Sequence, residues 1–125
     1  MTCFWDGILK KLNNEDFKLL EYNNTNNINF IQLLKKYNKK CTNVIWQNEK
    51  LIEKLLNENY TMISEFNENN INSGYDCSSC DPFIILICEL FKININHDYN
   101  GVNIQYKIED TRKTINYKSN QSHFF

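Results

Sequence analysis

Alanine is absent from this 125-residue chain, and proline, glycine and histidine are scarce, at one, three and two copies. No Pro- or Ser-rich tract, long linker or internal repeat divides the sequence. It therefore reads as one domain over residues 1–125, a length typical of single domains. Long apolar runs are missing as well: the longest, Phe83 to Cys88, falls far short of the roughly 20 residues that cross a bilayer. The N-terminus lacks a basic region followed by an apolar one. The expectation is a soluble, cytoplasmic protein with no signal peptide and no membrane partner. An excess of positive charge is also lacking, since 14 Lys+Arg stand against 15 Asp+Glu. That balance excludes the basic field of phosphate-backbone binding and removes nucleic acid from the expected partners.

What the chain has in abundance is asparagine and isoleucine, 22 and 15 copies, a bias that points to an AT-rich genome, viral or unicellular, more than to a fold. A viral source would place the protein in a host cytoplasm. Asparagine is background here, so the three Asn-x-Ser/Thr matches at Asn23, Asn59 and Asn120 carry no weight as glycosylation sites. Hydrophobic content of 42%, one residue in seven aromatic, suffices for a folded core. Five cysteines, an odd number without a secretion signal, favour reduced thiols, a metal site or a catalytic thiol over a disulfide scaffold.

Periodicity orders the chain into helices first and strands last. Phe4, Trp5, Ile8, Leu9 and Leu12 make the stripe of a helix that starts directly after Cys3. Ile28, Ile31, Leu33, Leu34 and Tyr37 predict a second helix, with Lys35, Lys36, Lys39 and Lys40 as a solvated face. Ile45, Leu51, Ile52, Leu55 and Leu56 predict a third, ending near Asn57–Asn59. Asp81 as N-cap and Pro82 at the first helical position open a buried fourth helix, apolar nearly all round from Phe83 to Phe91. The period then switches to two, predicting strands at Ile93–Asn96, Val102–Tyr106 and Thr114–Tyr117 with turns at Tyr99–Gly101 and Glu109–Arg112. The order predicts an α+β domain, its N-terminal helices packed against a short, mostly antiparallel C-terminal sheet.

Cys3 is the leading chemical candidate. A thiol at a helix N-terminus faces unpaired backbone N–H groups and the positive end of the helix dipole, which favour the thiolate; the same N–H groups suit an oxyanion. The bland alternative is a small buried residue. A base must be His97 or His123, since the chain has no other histidine. His97 ends a predicted strand; His123 follows the last strand and precedes Phe124, where a chain reversal would present an imidazole beside an aromatic. Asp6 suits capping of the first helical turn. Trp5 and Trp46 read as packing anchors.

Thr2-Cys3-Phe4-Trp5, the apolar helix Asp81–Phe91 running into Ile93-Asn94-Ile95, and a closing strand, polar turn and His123-Phe124 together resemble the ovarian-tumour-type family of papain-like cysteine proteases, many of which are deubiquitinases. The resemblance covers nearly the whole chain. It implies a small papain-like fold and a peptidase without cofactor or metal, acting as a monomer on ubiquitin or a ubiquitin-like modifier. It makes Cys3 the nucleophile and His123 the general base, with Thr2, Phe4, Trp5 and Phe124 lining the oxyanion and substrate region. The Asp that the family usually places shortly before the Cys has no counterpart at Met1-Thr2, and the polar residue often found two past the His has none here. Asn120 is the nearest candidate for a third member. The rival reading keeps the same fold as a weak or non-catalytic binding module.

Cys77-Ser78-Ser79-Cys80 is half of a zinc site at best, because Cys41, Cys88 and His97 do not supply the usual second-half spacing. Redox chemistry lacks the strand that should precede it. The expected role of this segment is a turn leading into the buried helix.

Overall fold

The computed structural model describes residues 3–20, 26–69 and 78–119, the side chains of Cys3 and Ser119 excepted. Among these, the chain forms in order α1 (Cys3–Lys11), α2 (Asn14–Lys18), α3 (Asn27–Lys36), β1 (Val44–Trp46), β2 (Glu49–Lys50), α4 (Glu53–Glu65), α5 (Pro82–Phe91), β3 (Ile93–Tyr99), β4 (Val102–Ile108) and β5 (Lys113–Ser119). The fold is α+β. One mixed sheet has the order β2-β1-β4-β3-β5; β5 runs parallel to β3, and the other three pairings are antiparallel. No described helix is long and apolar enough to cross a membrane.

α5 is the centre of the core. Asp81 caps it by accepting from the backbone N–H groups of Phe83 and Ile84, with Pro82 at the first position, as the sequence predicts. Every residue from Pro82 to Glu89, and Phe91, is buried. The sheet lies on one side of α5 and the other helices on the other. Trp5, Phe66 and Phe83 form an aromatic cluster at its start, Phe17, Phe30 and Phe91 another at its end. The one charged residue of α5, Glu89, is 1% exposed. It accepts from the Asn43 backbone N–H and side-chain amide, both at 3.1 Å, and so holds the turn that feeds β1.

The chain leaves α5 through Lys92 in the left-handed conformation (φ 55°) and enters β3 at once. Asn100-Gly101, both at positive φ, close the β3–β4 hairpin, the geometry that Asn-Gly supports. β5 then reaches its place beside β3 by passing under the start of that strand, where the Arg112 N–H donates to the Lys92 carbonyl at 2.8 Å.

The predicted third helix needs correction. Ile45 lies in β1; Gln47 and Asn48, both at positive φ, turn the chain into β2, and the helix starts only at Glu53 and continues to Glu65. Trp46 is therefore a strand residue. The short helix α2 was not expected; an Asn13–Asp16 capping box starts it. Nor is the lysine face simply solvated: Lys35 donates to the Phe66 carbonyl and pairs with Glu68, and Lys40 pairs with Glu53, all on or beyond α4.

Candidate active site

Contacts along α5 set the direction of α1. Near its start, Trp5 meets Phe83 of the first turn of α5 edge-on at 4.8 Å. At its end, the Lys11 carbonyl accepts from Lys113 Nζ at 3.5 Å, and just beyond, Phe17 packs against Phe91. The two helices therefore run in the same direction. β3 doubles back from α5, and β5 is parallel to β3. α1 thus begins beside the first turn of α5, which is bonded to Tyr106 opposite Ile95 of β3, while β5 ends beside Tyr99 at the C-terminal end of β3.

Of the sequence-predicted site residues, Thr2, Asn120, His123 and Phe124 lie outside the described residues, as does the Cys3 side chain. Phe4 and Trp5 are described, and both are buried. Phe4 stacks edge-on to Trp5, which also touches Phe30 and Phe66. Their side chains belong to the core, so a contribution of this segment to an oxyanion falls to its backbone. Asp6, expected as a first-turn cap, accepts from the Asn27 side chain and ties α1 to α3.

His97 does not sit in a strand end open to solvent. It lies within β3, fully buried, beside Tyr117 in the parallel register and in edge contact with the rings of Tyr99 (5.3 Å) and Tyr117 (6.3 Å). Burial pushes its pKa down to about 4, against the opposing pull of the Asp98 charge. Its ring is enclosed among these aromatic neighbours and has no exposure to solvent.

No family model matches the chain, and no curated protein or solved structure is significantly similar to it.

The turn before α5 is fixed from the sheet. Tyr106 Oη donates to the Ser79 carbonyl and accepts the Asp81 N–H, both at 3.0 Å, while Trp46 Nε1 donates to the same carbonyl at 2.9 Å. The Asp81 carboxylate also accepts the Ser78 N–H. Sequence reasoning missed this clamp. The available signal was Tyr106 itself, since an inward-facing tyrosine needs a partner for its hydroxyl.

Among the described residues, no three His, Cys, Asp or Glu side chains converge to hold a metal ion; Cys77 lies outside them. Burial, with a smaller push from Asp81, raises the Cys80 thiol to about 11; burial and then Glu89 raise Cys41 to about 12; burial drives Cys88 well above its ordinary value. With iodoacetamide at pH 7.5, these three thiols are expected to react at least about a hundredfold more slowly in the folded protein than after unfolding. Peptide-resolved mass spectrometry checks this, and rapid native alkylation of Cys80 would contradict it.

Proposed function

We propose that the chain is a cysteine peptidase of the ovarian-tumour type, with a papain-like fold, that hydrolyses peptide or isopeptide bonds at the C-terminus of ubiquitin or a ubiquitin-like modifier. One observation supports the reading: Cys3 is the first residue of helix α1, the position that favours a thiolate.

In this mechanism His123 takes the Cys3 proton and the thiolate attacks the scissile carbonyl carbon. The tetrahedral oxyanion is held by backbone N–H groups at the start of α1. The C–N bond breaks, His123 gives its proton to the leaving amine, and a thioester to Cys3 remains. Water, deprotonated by His123, attacks the thioester carbonyl and releases the carboxylate and the thiol. Asn120 orients the imidazole as the third member. No cofactor enters, and the protein acts as a cytoplasmic monomer, in a host cytoplasm if viral.

The burial of Phe4 and Trp5 favours the rival reading, a non-catalytic module, because these side chains offer nothing to a substrate. A ubiquitin C-terminal electrophile separates the two. The peptidase reading expects one label per chain, on Cys3, lost in Cys3→Ala. Labelling that survives Cys3→Ala overturns the nucleophile, and absence of labelling by ubiquitin and ubiquitin-like probes leaves the binding module.

A further inference from the structure

The tip of the β3–β4 hairpin carries a reactive pair. Of the 22 asparagines in the chain, Asn100 alone is followed by glycine. In an Asn-Gly step the glycine backbone nitrogen is the nucleophile nearest the asparagine side-chain carbonyl carbon, and no Cβ shields it. Asn100 and Gly101 are both exposed, at φ 52° and 88°, and a Cβ placed on Gly101 would meet nothing within 4 Å. Space for ring closure is therefore open. Other asparagines are held by their side chains: Asn13 and Asn26 cap helices, Asn43 donates to Glu89, Asn94 accepts the Ile108 N–H at 2.8 Å, and Asn96 donates to Asn116.

The Gly101 N–H is itself engaged, donating to Asp98 Oδ1 at 3.1 Å. Asp98 stands on the face of β3 opposite the buried His97, one residue before the Tyr99–Val102 pair that closes the ladder. The glycine nitrogen must lose its proton to attack, and a carboxylate acceptor opposes that loss twice. It stabilises the N–H through a charge-assisted hydrogen bond, and its charge repels the amide anion that would form.

We infer that Asn100 is a site of spontaneous deamidation and that Asp98 restrains it by holding the Gly101 N–H. Water is the only co-reactant, and neither Cys3 nor His123 takes part. The Gly101 nitrogen gives up its proton and bonds to Asn100 Cγ; the Cγ–Nδ2 bond breaks, and ammonia leaves with that proton, closing a five-membered succinimide. Water then adds to one of the two ring carbonyls, and the ring C–N bond there breaks. Opening at Cγ leaves aspartate. Opening at the main-chain carbonyl leaves isoaspartate, whose backbone runs through Cβ and is longer by one methylene. Either product sets a second carboxylate near Asp98, and isoaspartate also breaks the two-residue turn that places Tyr99 opposite Val102.

Incubation of the full chain at mildly alkaline pH, followed by peptide-resolved mass spectrometry that separates aspartate from isoaspartate, tests it. Both products should accumulate at Asn100 ahead of every other described asparagine. Asp98→Ala should convert at least about threefold faster, the effect of losing one hydrogen bond to a charged acceptor. Asp98→Asn, which keeps an acceptor oxygen without the charge, should fall between. In concentrated urea the three chains should convert at one common rate, faster than the folded native chain, because the turn that places Asp98 is gone. An Asn100 that stays an amide while other asparagines convert would overturn the site. Asp98 variants that convert at the native rate when folded, or whose difference persists in urea, would overturn the restraint.

Discussion

Arg112→Ala is expected to destabilise the fold by about 3 kcal/mol, a large part of the roughly 5–15 kcal/mol that holds a domain of this size. Arg112 connects three elements. Its Nη2 binds Asp16 of α2 at 2.7 Å and the Phe91 carbonyl at 2.8 Å, its Nε binds the same carbonyl at 3.1 Å, and its own N–H caps the chain at Lys92. Asp16 is 1% exposed, so its carboxylate depends on the cations that reach it. Burial raises its pKa, but hydrogen bonds from Lys113, Arg112 and the Asn13 N–H outweigh burial and hold the carboxyl below its ordinary value. Without the guanidinium, Lys113 at 2.6 Å remains and the last-turn carbonyl of α5 loses two donors. Thermal unfolding should move down by about 10 °C. Arg112→Lys should recover little, because a single ammonium cannot serve both the carbonyl and the carboxylate in the geometry of the planar fork. Wild-type-like stability of Arg112→Ala would show that Lys113 alone supports Asp16.

Acidification should weaken the fold in two separate stages. The His97 pKa is lowered on folding, from about 6.5 to about 4, so the unfolded chain binds a proton over that interval and the native chain does not. Its contribution is fully present above about pH 6.5 and is lost as the pH falls toward 4, on the order of 3 kcal/mol in all. Asp16 acts below that window: its carboxyl is also depressed, so its contribution holds above the ordinary carboxyl range and is lost only as the pH falls through the native value. Urea unfolding at pH 7, 5.5 and 4.5 should show a slope that His97→Leu removes, whatever constant offset the substitution adds. An unchanged slope in that variant would assign the acid sensitivity elsewhere.

The elements that the sequence predicts well are those set by local signals. Asp81-Pro82 specifies a helix start on its own, and Asn100-Gly101 specifies a two-residue hairpin. The β1–β2 hairpin escaped because its turn, Gln47-Asn48, has no glycine and because asparagine is too common here to mark turns. Ile45, Leu51 and Ile52 then fall close enough to helical spacing to extend the following helix backwards. The parallel placement of β5 beside β3 was invisible for a different reason: alternation defines a strand but not its neighbour. Links such as Arg112–Asp16 and Tyr106–Ser79 join residues 96 and 27 positions apart, and no local pattern encodes them. Cys3 at a helix start was legible, as was the choice between two histidines; the burial of His97 within the sheet was not, because alternation marks a strand without saying which of its faces is covered.

The pairing of Cys3 with His123 is the centre of this account, and the pH dependence of Cys3 carboxymethylation measures it without assuming a substrate. The rate of Cys3 modification by iodoacetamide, followed by mass spectrometry between pH 4 and 10, should show an inflection well below the ordinary thiol value of about 8.5, and His123→Ala should move that inflection upward. A Cys3 that titrates near 8.5 in both the native chain and His123→Ala would contradict the account.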